Sequence, residues 1–376
     1  MASSSPFRTP AALVVLLLAA CQPADQSGSV QAWVYALDHA SNTYSLTTLP
    51  VEHLDSLREL RGRDFSFRAS SSLNVGLSGG SLEGSVDRGS SVAFDYTTDD
   101  AGAVVAADTM SLYMISLYRI LDWTASVYRA HGYAPDVPLD VYFNPRFDVV
   151  FIGDLRSEFT DNAGFMPLAR GFMVFPSFLM KDGLPLDLNE GVFAHEFGHS
   201  VVQQVLFQRA TKTPHDGETA WALASRHLDA FNEAFADLSG FIVSADPNFI
   251  EPSIAGYDSR NLAVPWIYDD ATLAELSNLD NTSYDSHHHG SYLARAIYEL
   301  WPKSASGLIS EEDRGRMLDL LLASLSDLAY TPDFTFVDFA NVLVRKLPTE
   351  TQPRACSVLL KDLAPLAARL TACGGK

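Results

Sequence analysis

Positive charge is scarce in this chain. Its 376 residues carry 26 Lys+Arg against 46 Asp+Glu, a formal net charge of −20. So acidic a surface repels nucleic acid and anionic headgroups, which excludes both as partners recognised by charge. The same acidity can help hold hard cations such as calcium. Long apolar runs are also missing. The run Ala11–Ala20 (AALVVLLLAA) has ten residues, about half of the ~20 needed to span a hydrocarbon core, and no later segment is apolar enough. Cysteine is nearly absent, with only Cys21, Cys356 and Cys373. No internal repeat is found. What is abundant is apolar material, 47% of the chain, enough to bury one large core or two lobes sharing a cleft.

The short apolar run has the length and layout of a signal-peptide core. It follows a segment with one charge, Arg8, and ends Leu18-Ala19-Ala20-Cys21. That ending resembles the lipobox of bacterial lipoproteins, which implies cleavage before Cys21 and acylation of its thiol. The alternative is an ordinary signal peptide with a chance cysteine behind it. Residues 1–20 are thus expected to be a signal peptide and residues 21–28 a lipid anchor and tether, holding an exported protein on the cell envelope. Gln22 in place of Asp favours an outer membrane where one exists. Outside the cytoplasm Cys356 and Cys373 can pair and staple the last helical segments, or remain as two buried thiols; export favours the disulfide.

Between Val30 and Pro50 the text alternates around Asp38–Asn42, predicting a hairpin. Short Ser/Gly-punctuated stretches continue to about residue 100, so residues 29–105 are expected to be β-rich. Asp108–His131 repeats apolar residues (Met110, Tyr113, Met114, Leu117, Leu121, Trp123, Val127) near helical spacing. Strands are expected at Leu139–Phe143, Val149–Ile152 and Gly171–Phe175. Helices are expected at 190–208, 226–244, 291–302, 311–328, 335–346 and 354–371. Strands first and helices afterwards predict an α+β chain of two lobes, with residues 106–376 as its catalytic domain.

The chemistry centres on Ala194-His195-Glu196-Phe197-Gly198-His199. Asp187 and Glu190 stand as in a capping box, predicting a helix start near Leu188, and apolar residues at 193, 194, 197, 201, 202 and 205 supply a buried face. Residues four apart share a helix face, displaced ~6 Å along the axis, so two imidazoles can converge on one metal ion. Glu196, rotated roughly 100° from His195, is placed to reach a water beside the ion. A third protein ligand is needed, and Asn232-Glu233-Ala234-Phe235-Ala236-Asp237 offers one. Glu233 completes the set, and Asp237, on the same face, can accept the free ring N–H of a ligating histidine.

HExxH followed by NExxxD resembles the gluzincin zinc peptidases, the thermolysin-like group in particular, over roughly residues 105–345. The resemblance implies a two-lobed zincin fold, one catalytic Zn²⁺ held by His195, His199 and Glu233, and Glu196 as general base in peptide-bond hydrolysis. Asn162-Ala163 is similar to the edge-strand pair that binds the substrate backbone in that family. Asp285-Ser286-His287-His288-His289-Gly290-Ser291 is similar to the segment supplying an oxyanion-stabilising histidine. His287 is the first choice there, with His288 and His289 as alternatives. Tyr292 is expected to pack rather than reach the cleft. The 33 residues between His199 and Glu233 imply an insertion near Thr211–Thr219, and residues 257–284 a second, so substrate preference does not carry over. The expected partners are a peptide or protein substrate and the membrane, with the chain acting as a monomer. The rivals are a catalytically inactive zinc-binding surface lipoprotein and an aminopeptidase of the same class. The Gly-x-Met-Glu-Asn segment usual in such aminopeptidases is absent, which favours an endopeptidase.

Overall fold

The computed structural model describes residues 25–38, 43–78, 81–150, 162–176, 185–207, 219–254, 258–305 and 307–374. The signal segment, Cys21, the hairpin turn 39–42, Ile152, Asp161 and residues 211–218 lie outside the described residues.

The alternating N-terminal text forms a hairpin. Strand β1 (Gly28–Asp38) pairs antiparallel with β2 (Thr43–Ser56), Ala32 lying opposite Leu49 and Val34 opposite Thr47. Val30, Ala32 and Val34 point inward at every second residue and are buried, as the strand period requires. Just before the hairpin, Asp25 accepts hydrogen bonds from Ser56 Oγ and the Arg58 amide, and the Gln26 carbonyl accepts one from the Leu57 amide. Residues expected to serve as free tether are therefore fastened to the domain from Asp25 onward.

Ten strands form one mixed sheet in the order β12-β13-β10-β4-β3-β2-β1-β9-β8, with β7 paired to β4. Here β3 is Arg61–Gly62, β4 Phe65–Ala69, β7 Ser90–Ser91, β8 Tyr96–Thr98, β9 Val104–Ala106, β10 Leu139–Phe143, β12 Asn162–Met166 and β13 Gly171–Phe175. A smaller sheet joins β11 (Arg146–Val150), β5 (Ser72–Ser78) and β6 (Ser81–Asp87). The expected strand at Val149 thus begins earlier, at Arg146. The consequence for function is the place of β12. Among the described residues it is an edge strand, antiparallel to β13 with Ala163 opposite Val174, and an edge offers unpaired backbone groups to an added strand.

Helix α1 (Thr109–Ala130) is capped by Asp108, whose carboxylate accepts the Ser111 amide at 2.7 Å. Its Leu117 and Leu121 are fully buried, but Trp123 is 47% exposed, so it belongs to the outer face and not to the expected apolar stripe. The rest is helical: α2 (Glu190–Val202) with a π-helical turn to Phe207, α3 (Thr219–Ser244), α4 (Asp270–Ser277), α5 (Ser286–Tyr298), α6 (Glu311–Asp327), α7 (Phe336–Lys346) and α8 (Gln352–Asp362). Helix α3 starts seven residues before the expected 226, and α5 spans 286–298 in place of 291–302. The expected helix 354–371 breaks after Asp362 into 3-10 turns, because Pro365 cannot continue an α-helical hydrogen-bond ladder. Cys356 and Cys373 form a disulfide across that break, with Cα atoms 5.2 Å apart. The chain is an α+β protein with a large mixed sheet. Among the described residues no helix is long and apolar enough to cross a membrane.

Phe197 fixes α2 to this framework. Its fully buried ring lies 6.5 Å from Phe172 on β13, 6.3 Å from Phe65 on β4 and 5.0 Å from Tyr128 on α1. Burying such a ring contributes roughly 1.5–3 kcal/mol, so the helix carrying both histidines is held to sheet and helix at once.

Candidate metal centre

Helix α2 begins at Glu190, and its cap is Asn189, whose side-chain oxygen accepts the amides of Gly191 (3.0 Å) and Val192 (3.2 Å). The capping box expected from Asp187 and Glu190 is not formed. Asp187 sits inside the 3-10 turn Leu186–Leu188 that follows Pro185, which leaves Asn189 as the extended residue a cap requires.

Two glycines set how closely the site's helices approach. A Cβ on Gly198 would come within 2.8 Å of Ala236 Cα, and one on Gly290 within 2.6 Å of Ala230 O and 2.7 Å of Glu233 Cβ. Without side chains there, α2 and α5 both lie against α3 on either side of Glu233. The result is a convergence of donors from three helices. His195 Nε2 and His199 Nε2 are 3.0 Å apart, and Glu233 reaches 3.4 Å from the first and 3.7 Å from the second. His287 Nε2 stands 3.4 Å from the same carboxylate. Glu196 turns toward the sheet, where its Oε2 accepts the Phe165 amide of β12 at 2.7 Å, while Oε1 stays 4.0 Å from His195 Nε2.

Behind the donors, Asp237 is fully buried and lies 3.0 Å from His195 Nδ1. Arg260, from a 3-10 turn at Asp258–Arg260, bonds Asp237 and brings Nη2 to 2.9 Å from His195 Nδ1. With the Nδ1 proton donated to Asp237, the guanidinium needs only the carboxylate, and its closeness to the ring follows from sharing that partner. Burial and Arg260 lower the His195 pKa, but the Asp237 and Glu233 carboxylates outweigh them and carry it to about 9. Burial pushes Glu233 up, yet His199, His195 and His287 hold it well below its ordinary range. Asp237 is likewise raised by burial and lowered more by Arg260 and His195. Both carboxylates therefore stay ionised in a buried setting.

His195, Glu196 and His199 form a group that could hold a metal ion, their donor atoms all lying within 4.8 Å of one another. The fit extends to Glu233, whose buried Oε2 has no hydrogen-bond partner among the described residues. Arg260 Nη2 faces that oxygen at 3.6 Å and the His195 and His287 Nε2 atoms at 3.4 Å, close enough to offset its charge but not to hydrogen-bond it, and a metal ion among the same donors would complete the pairing. Among the described residues the His199 Nδ1 is also without a hydrogen-bond partner, and there the Nδ1 of His195 alone of the two rings is steadied by a carboxylate.

The triple histidine is sorted by α5. His287 lines the same cavity as Glu196, of about 310 Å³, together with Asn162, Ala163 and Arg260. His288 and His289 line a neighbouring cavity of about 150 Å³, and His289 is buried beside Tyr284 and Tyr268. Tyr292 packs on Trp266 and Tyr268, as expected. Asn162 and Ala163 reach the cavity on the edge strand, where the Asn162 side-chain oxygen accepts the Ala163 amide at 2.8 Å.

Sequence reasoning missed Arg260 and the apolar wall made by Leu186, Val192, Phe249, Ile250 and Ile254. Apart from Val192 these lie in turns and loops, and Arg260 falls in the stretch read as an insertion. No periodicity marks them. The chain matches no protein-family model and no curated protein, so the reading of the site rests on its own residues.

Proposed function

We propose that the chain is a zinc-dependent metalloendopeptidase of the gluzincin kind, with the cleft lying between a β-rich lobe and a helical one. The observation that carries this is the meeting of His195 and His199 with the Glu233 carboxylate from a separate helix, while Glu196 faces the edge strand. Two imidazoles and one carboxylate suit Zn²⁺ with a position left open. Bound zinc supplies Lewis acidity that lowers the pKa of a water toward ~7.

The chain's own groups do the rest. An extended peptide adds to β12 through its outward-facing backbone at Ala163, in the manner of strand addition. Glu196, held to the Phe165 amide, is close enough to take a proton from water and pass it to the leaving amine. His287 donates to the oxygen that gains negative charge; such donors contribute ~2.7–4 kcal/mol where measured. Asp237 keeps the His195 ring in one orientation. The wall of Leu186, Val192, Phe249, Ile250 and Ile254 favours a substrate residue with a large apolar side chain. Cys21 acylation would hold this chemistry at the cell envelope, with residues 22–24 as the link to the hydrogen-bonded segment from Asp25.

The test is a paired measurement on Glu196→Gln. Zinc content stays at the wild-type level while hydrolysis of a mixed peptide library falls by about 10²–10⁴, the usual contribution of a general base. Unchanged turnover in that variant removes Glu196 from the reaction. No hydrolysis by the zinc-loaded wild type leaves only a metal-binding role.

A further inference from the structure

A second group of metal-ligating side chains lies away from the cleft, where β2 crosses α1. Glu52, His53 and Asp122 each offer a donor atom, and these atoms lie within 4.8 Å of one another. His53 Nδ1 is 3.0 Å from Asp122 Oδ1 and 3.3 Å from Oδ2. We propose that these three residues form a second cation site, for a divalent transition metal of the zinc or cobalt class.

The case rests on how consecutive strand residues come to share one target. Side chains at neighbouring positions of a strand point to opposite faces, so Glu52 and His53 could not ordinarily bind one ion. Here the alternation slips. Val51 and Leu54 are both buried, and between them Glu52 is exposed and His53 half-buried. His53 has φ of 56°, a left-handed value uncommon for a residue with a side chain, and the pairing of β2 with β3 shifts just beyond it, between Leu54 and Ser56. The slip turns both side chains toward Asp122 on α1.

Charge points the same way. Asp122 is 5% exposed, and burial pushes its carboxyl above the ordinary range against the pull of His53 and Arg63. Arg63 is committed to Asp64, which also holds Arg129. Among the described residues neither Glu52 nor Asp122 has an ion pair with a lysine or arginine. Two carboxylates and one imidazole thus face each other with no fixed cation between them. An imidazole in the set selects zinc, cobalt or nickel over calcium and magnesium, which take oxygen ligands. Bound there, the ion would tie the hairpin to α1.

The experiment is cobalt titration of the purified full-length protein by calorimetry and visible absorption. Wild type is expected to take up one equivalent more than Asp122→Asn. Because Asp122 is buried, Glu52→Gln at an exposed position serves as the second variant. There the extra equivalent binds about tenfold or more weakly, as loss of a supporting ligand requires. Equal stoichiometry in wild type and Asp122→Asn, or unchanged affinity in Glu52→Gln, reduces the group to a plain His–Asp hydrogen bond and overturns the proposal. Uptake of calcium but not cobalt overturns the metal class. Neither variant touches the cleft, so the result is independent of what the cleft binds.

Discussion

The cleft group and the strand–helix group use the same residue types and differ in what stands behind them. In the cleft, His195 and Glu233 are at least nine-tenths buried, Gly198 lets their helices close on each other and Gly290 brings α5 against α3, and Asp237 and Arg260 brace one ring from the rear. At the β2–α1 crossing only Asp122 is buried; Glu52 is exposed and His53 half-buried. Donor identity therefore does not separate the proposed reaction centre from the proposed staple. Support does, because a metal that must polarise a reactant needs ligands that cannot relax around it.

That contrast can be broken in order of expected effect. Asp237→Asn removes the brace while leaving every cleft donor in place. Zinc affinity at the cleft should fall by about 10–100-fold, read by competition with a fluorescent chelator. An unchanged affinity would mean that the buried carboxylate does not steady His195. Gly290→Ala tests the close approach of α5 to α3. Alanine favours a helix by up to ~1 kcal/mol over glycine, but its Cβ meets the backbone at Ala230 and Ala234 and the Cβ of Glu233, and such overpacking typically costs about 1–3 kcal/mol. A net loss of stability in urea melts, with weaker hydrolysis as His287 moves off, is the expected outcome; a more stable protein would show that the helices have room to spare.

Acid tests the packing around the site and not its donors. His227, on α3 six residues before Glu233, has its pKa pushed down to about 3, by burial first and then by Arg369 and His289. His289 is lowered to about 4, again chiefly by burial. Both ionise near ~6.5 in the unfolded chain, so the unfolded state takes up these protons first. Stability fully present above ~6.5 is lost as pH falls toward the folded values, at up to ~1.4 kcal/mol per pH unit for each histidine. Glu233 and Asp237, whose pKa values are lowered from 4.5 and 3.8, contribute losses only at lower pH. Urea melts between pH 6.5 and 5.0 should therefore show the decline, and His227→Gln should make it about half as steep, His289 carrying the remainder. A level profile in wild type would contradict the burial of neutral rings at His227 on α3 and His289 on α5.

These residues also show what a sequence can and cannot disclose. His195 with His199, and Glu233 with Asp237, were legible because a helix turns four-residue spacing into one face, and the apolar residues between them announce the helix. The same logic recovered α1, whereas β13 is legible from a short apolar run and the Cys356–Cys373 pair from the expected export of the chain. It misplaced the cap of α2, because Asp187 and Glu190 have capping-box spacing while the local turn after Pro185 hands the role to Asn189. Arg260 was invisible, since a single arginine in a three-residue turn has no period to betray its direction. The Glu52–His53 pair was hidden for the opposite reason. Strand alternation forbids their convergence, and only the left-handed backbone at His53 permits it.

The central claim is that two helices deliver His195, His199 and Glu233 to one ion. Anomalous diffraction at the zinc edge from crystals of the zinc-loaded protein tests it most directly. The account predicts a peak bonded at ~2.0–2.2 Å to both histidine Nε2 atoms and to the Glu233 carboxylate, with Glu196 beside it and unbound. A map with no peak there, or one in which Glu233 turns away from the ion, would contradict it.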